Sequence, residues 1–196
     1  MSIKVGIISE NENDTDAFKI LLYKINYSDI EFFHMNKGFK GSSVETEDAL
    51  KNILFEFEQE KPCLVLVLRD YDSKSKGKRY ANWFRSINNH LNNKGIFIQI
   101  IYEIESLILA DISAFNKAFK TKLAQLRKPL KVRDPKGYLK NSTSGRRDRY
   151  SESDAPEVFK EIDHNKLIQI HYINNFLKEF NYRISIDCFA HNANVT

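Results

Sequence analysis

The stretch Pro62-Cys63-Leu64-Val65-Leu66-Val67-Leu68-Arg69-Asp70-Tyr71-Asp72 decides the fold. Its unbroken Leu/Val run reads as a strand covered on both faces, the kind found at the centre of a parallel sheet. The run passes directly into charged residues. In an extended segment, residues i and i+2 project to the same side, so Asp70 and Asp72 can both reach one cation.

Outward from this strand the chain repeats a strand-then-helix rhythm. Ile3 to Ser9 is a short apolar run, followed by acidic residues and by Ala17, Phe18, Leu21, Leu22 and Ile25 at helical spacing. Asp29 to Met35 suits a second strand, Gly38 to Ser43 a loop, and Val44 to Glu60 a helix. After Asp72 a basic stretch, read as a flexible loop, leads into a helix around Arg79 to Asn93. Ile96 to Tyr102 then forms a fourth strand. Strands alternating with helices of this length predict an α/β fold, a parallel four-stranded sheet flanked by helices. From Glu105 onward the pattern is mostly helical, with Ser106 to Phe119, Pro135 to Leu139 and His164 to Phe180 as helical stretches. Tyr182 to Phe189 reads equally as an edge strand or a tail. The division expected is an α/β core over residues 1–112 and a helical, basic part over 113–196 packed on the same domain.

With 196 residues, 42% hydrophobic, the chain is long enough to bury a core and too apolar to be disordered. No apolar run approaches membrane-spanning length and no secretory leader pattern opens the sequence, so a soluble cytoplasmic protein is expected. Cys63 and Cys188 lack zinc or disulfide-framework spacing and read as small buried hydrophobes. His164 and His171, seven apart, fall on one face of the predicted helix, without the spacing of a zinc pair. No G-x-G-x-x-G, phosphate-loop lysine motif or G-x-S-x-G elbow occurs, which excludes dinucleotide, P-loop nucleotide and α/β-hydrolase chemistry as sequence-supported functions.

Charge is unevenly distributed. Residues 1–70 hold 8 Lys and Arg against 13 Asp and Glu, whereas residues 117–150 hold 12 against 2. An acidic region joined to a basic one predicts a cation site beside a polyanion site. In an open parallel sheet, ligands bind at the carboxyl ends of the strands. Three strand ends here are acidic: Glu10 after the first, Asp70 and Asp72 after the third, Glu103 and Glu105 after the fourth. Hard oxygen ligands of this kind suit Mg²⁺ or Mn²⁺, which retain waters and take up phosphate oxygens. Around them Lys74, Lys76, Lys78 and Arg79 form a first basic group. Lys128, Lys131, Arg133, Lys136, Arg146, Arg147 and Arg149 form a second, suited to sequence-independent contact with a phosphate backbone. Asp14 and Asp16 read as charges favoured at a helix start, and Asp111 as a partner inside the fold.

Glu10 after strand one and Asp70-x-Asp72 after strand three, in that order, resemble a Toprim domain. Val5 to Asp14 is similar to the E-G-x-T-D opening of small Toprim-like families of prokaryotic mobile and defence gene clusters, related to overcoming-lysogenisation-defect nucleases. Asn11 and Asn13 stand where that pattern has Gly and Thr. Glu103-Ile104-Glu105-Ser106-Leu107-Ile108-Leu109-Ala110-Asp111 resembles their E-x-W/L-L-L-A-D segment, and Arg133 to Leu139 their D-P-K-x-x-L segment. The resemblance implies a Mg²⁺-dependent strand-cleaving or strand-joining chemistry and, often, a partner ATPase; the reading taken here is cleavage of DNA or RNA. Carried onto this chain, Glu10 is a general acid/base or metal ligand, Asp70 and Asp72 are metal ligands, and Glu105 is a further acid. Two other readings stand beside it. One is an idle Toprim-like subunit or sensor docking on an ATPase; the other is a receiver-like domain with Asp70 as phosphoacceptor.

Overall fold

The computed structural model describes residues 3–25, 27–71 and 73–189, and at Lys74 the backbone only. The chain is α/β. Strands β1 (Ile3–Ile8), β2 (Ile30–His34), β3 (Leu64–Tyr71) and β4 (Gly95–Ile101) form one sheet in the order β2-β1-β3-β4, every pairing parallel. The helices are α1 (Glu12–Lys24), α2 (Glu47–Glu60), α3 (Lys74–His90), α4 (Glu105–Ala110), α5 (Ile112–Phe119), α6 (Pro135–Ser142), α7 (Ala155–Glu161), α8 (His164–Ile168) and α9 (His171–Arg183). Among the described residues no helix is long and apolar enough to cross a membrane.

The β3 run is central as its sequence requires: Leu64, Val65, Leu66, Val67 and Leu68 are at most 3% exposed. Removing each such side chain from water stabilises the fold by about 1.5–3 kcal/mol. Alternation splits the run between two cores. Leu64, Leu66 and Leu68 join Val5, Ile7, Ile96, Ile98 and Ile100 against α1 and the C-terminal helices, including Phe18, Phe159, Phe176 and Phe180. Val65 and Val67 join Ile8, Met35, Ile53, Phe57 and Ile87 against α2 and α3. The C-terminal helices thus share a core with the sheet, and residues from both predicted parts build it. On the second face, Gly6 lets the strand approach Met35, since a Cβ there would stand 2.1 Å from its sulfur.

Several local expectations are corrected. Cys63 and Cys188 are joined in a disulfide, 125 residues apart in sequence, which fastens the chain just before β3 to the end of the C-terminal helices. They lack any framework spacing because the fold, not the sequence, brings them together. The basic stretch after Asp72 is no loop: Ser73 caps α3 by accepting from the Lys76 N–H at 3.3 Å, and the helix runs from Lys74. The strand β4 ends at Ile101, and Glu105, expected just ahead of the helix at Ser106, lies in the first turn of α4. Between them, Tyr102 adopts a left-handed backbone (φ 62°), which turns the chain sharply out of β4. His164 and His171 belong to different helices, α8 and α9. Ile184–Cys188, left open between strand and tail, is a wide helical turn continuing α9.

Candidate functional site

The strand order places a topological switch between β1 and β3: the chain leaves β1 toward β2 on one side and returns to β3 on the other. Helices on opposite faces then diverge, and a crevice opens at the carboxyl ends of these two strands. Glu10 follows β1 and Asp70 lies near the end of β3. The Asp70 backbone N–H donates to the Glu10 carboxylate at 3.4 Å, so the two predicted acids share one edge of the crevice.

Asp14 joins them. Asn11 caps α1, its side-chain oxygen accepting from the Asp14 N–H at 3.0 Å while its amide donates to the Asp14 carboxylate at 2.7 Å. Asn11 has φ −156°, extended backbone that any residue adopts, so the cap needs no glycine. Desolvation, Glu105 and Glu10 push the Asp14 carboxyl up to about 8, against the relief of the Asn11 bond. Asp70 is likewise held well above the usual carboxylate range by desolvation and by Asp14, Glu10, Glu103 and Glu105. Five carboxylates therefore act on one another in this crevice.

Glu105 is 2% exposed and accepts from the Tyr150 hydroxyl at 3.1 Å; desolvation raises its pKa. Glu103 sits nearer the surface, 3.7 Å from Lys136, which also pairs with Glu152 at 3.4 Å. Desolvation opposes the charge of Lys136, but Glu105, Glu103 and Glu152 outweigh it and keep the ammonium protonated. Lys136, expected on a nucleic-acid surface, thus stands among the acids. Asp111 has the structural role expected: it accepts from Lys166 at 2.6 Å and from the Asp163 N–H at 2.9 Å, joining α8 to the α4–α5 junction.

Beneath Glu10 lies a fully buried arginine. Arg69 alternates to the face opposite Asp70, 3.4 Å from Glu10 and 3.0 Å from Glu45, and its guanidinium lies 4.2 Å from the centre of the Tyr80 ring. Arg79 reaches the same Glu45 oxygen at 3.0 Å, so this predicted phosphate contact also holds the crevice rim.

Of the remaining predicted cations, Lys76 and Lys78 are exposed on the first turns of α3, beside the exit of β3. Lys128, Lys131, Arg133, Arg147 and Arg149 are exposed in the segments flanking α6. Arg146 instead caps α5, donating to the Phe119 and Lys120 carbonyls at 2.7 and 3.1 Å. Asp72 and the Lys74 side chain lie outside the described residues.

Among the described residues no three carboxylate, imidazole or thiol groups stand close enough together to enclose a metal ion. In kind, the donors fit a hard divalent cation: all are carboxylate oxygens, and those of Asp14 and Asp70 are desolvated and mutually repelling, the condition a bound cation relieves. Asp14, Arg69 and Tyr150 carry no site signal of their own in the sequence. The Asn11-x-x-Asp14 spacing could have marked Asp14, because a capped first turn brings its fourth residue back over the strand end.

Compared with protein-family models, with curated proteins and with solved structures, the chain matches none.

Proposed function

We propose that the protein is a Toprim-like, divalent-metal-dependent nuclease acting on phosphodiester bonds of DNA or RNA, in the cytoplasm and in the setting of prokaryotic genome defence. The observation that carries this reading is the meeting of Glu10 and Asp70 at the switch point between β1 and β3, with Asp14, Glu103 and Glu105 around them. Glu10 and Asp70, with Asp72 after them in sequence, would hold Mg²⁺ or Mn²⁺. When bound, the ion supplies charge stabilisation to the phosphate and a water of lowered pKa. Burial and the neighbouring Glu105 and Glu10 raise Asp14 in the metal-free protein, which makes it the crevice acid suited to return a proton to a leaving oxygen. Arg69 fixes Glu10 from below, and Tyr150 fixes Glu105 by its hydrogen bond. Exposed Lys78, Lys128, Lys131 and Arg133 supply sequence-independent attraction for the strand. In a reducing cytoplasm Cys63 and Cys188 would stand as adjacent thiols.

The test is cleavage of end-labelled single-stranded and duplex DNA and RNA in Mg²⁺ or Mn²⁺ by the wild type and by Asp70→Asn. Cleavage lost at least a hundredfold in the variant supports the reading. Equal cleavage by both contradicts it. A silent wild type that also binds no divalent metal favours the idle module docking on an ATPase.

A further inference from the structure

A cavity of about 390 Å³ opens on the outer edge of β4, between that strand and α9, and lies toward the acidic crevice at Tyr172, on whose hydroxyl Asp70 acts electrostatically. Four aromatic side chains line it: Tyr71, Phe97, Tyr172 and Phe176. Phe176 is anchored by Phe18 and Phe180, with ring centres at 5.4 and 5.7 Å. Tyr71 lies across the backbone of Gly77, where a Cβ would come within 2.3 Å of the ring, so the absent side chain at Gly77 gives the tyrosine its place. The polar part of the lining is Gln99 and Asn175, with Glu179 beside them. The Gln99 amide donates to the Gly77 carbonyl at 3.2 Å, which holds that side chain in place. The Tyr172 hydroxyl is buried beside Ser106 and the Ile101 backbone.

Among the described residues no lysine or arginine lines the cavity, although both are abundant on either side of the crevice. Those residues offer a phosphate no counter-charge. Phe97 and Phe176 are already stacked on Phe84 and Phe180, so a flat, neutral, aromatic group bearing donors and acceptors would stack on the partly exposed Tyr71 or Tyr172 and meet amide and carboxylate groups at its edge. Proteins that hold single strands use this combination, with bases on aromatic side chains and the backbone on cations outside.

We propose that the β4–α9 cavity is a subsite for one unstacked nucleobase, seated while the adjoining phosphate lies over the Glu10/Asp70 crevice. The nature of the occupant rests on the nucleic-acid reading above. The subsite favours single strands or frayed ends, since a base held within a duplex cannot leave its stack without cost.

The experiment is a metal-free NMR titration of the full chain, in EDTA, with adenosine 5′-monophosphate and separately with ribose 5-phosphate, which has the same sugar and phosphate and no base. Saturable shifts of Tyr71 and of amides in Gly95–Ile101 and His171–Arg183, seen with the nucleotide alone, are expected. Asn175→Trp, an exposed helix position whose indole fills the cavity, should weaken binding at least tenfold. Absent shifts, or equal shifts with both compounds, overturn the proposal. So does a dimer in sedimentation that dissociates on Asn175→Trp without nucleotide shifts, which would seat a second copy's strand on the β4 edge. Because no metal is present, the outcome is independent of whether the chain cleaves.

Discussion

The Asp70 N–H points at the Glu10 carboxylate from 3.4 Å, tying the exits of β1 and β3 together at the one place where the sheet's winding reverses. The bond leaves both side chains acidic and close. Desolvation and like charge then raise Asp70 and Asp14 instead of letting them ionise freely. The fold thus concentrates negative potential in a crevice with Lys136 as its cationic neighbour on the α6 side.

Asp14 makes the metal-free protein less stable as pH rises. Its folded pKa, about 8, exceeds the unfolded value of 3.8, so the folded state keeps a proton that the unfolded chain has released. This contribution is fully present below about pH 4 and is lost as pH climbs through about 8. Asp14→Asn should therefore raise Tm more at pH 8 than at pH 5, by about 3 °C or more. An equal change at both pH values in a melting series would contradict the assignment.

Arg69 is buried beside two carboxylates and over an aromatic ring. Arg69→Met keeps much of the volume but leaves Glu10 without its arginine and Glu45 with Arg79 alone, and should cost about 3 kcal/mol in urea denaturation. Arg69→Lys keeps the charge, loses the fork and the stacking, and should fall between the two. Wild-type stability in Arg69→Met would remove this residue from the account.

The disulfide closes a loop of more than a hundred residues, and its reduction should lower stability by about 2–4 kcal/mol. Thiol titration should find no free thiol in the oxidised chain and two after reduction. Cys63→Ser/Cys188→Ser should melt like the reduced protein.

Replacing Lys128, Lys131 and Arg133 together by Gln should weaken oligonucleotide binding for all sequences alike. It should also flatten the slope of log K against log salt by about 2 on single strands. A slope unchanged by the triple substitution would place the backbone elsewhere.

The fold was legible because its strongest signal is local: five Leu and Val residues between Pro62 and Arg69 can serve only as a central strand, and the flanking apolar runs follow the same rhythm. Glu10 and Asp70 were legible as strand-end acids for the same reason. What escaped depends on three-dimensional neighbours. Tyr150 meets Glu105 from 45 residues away, and Cys63 meets Cys188 across 125. Arg69 reads as the first polar residue of a turn, yet strand alternation points it inward beneath Tyr80. Lys136 belongs by charge to a basic run, but a capped helix start at Asp134 brings it onto the acids.

The central claim is that the acids at the β1 and β3 exits hold a divalent cation. Calorimetric titration of Mn²⁺ into the wild type and into Asp70→Asn, each shown folded by circular dichroism, tests it most directly. One saturable site is expected in the wild type, weakened at least tenfold in the variant. No heat of binding in the wild type even with an oligonucleotide present, or the same affinity in both proteins, would contradict it.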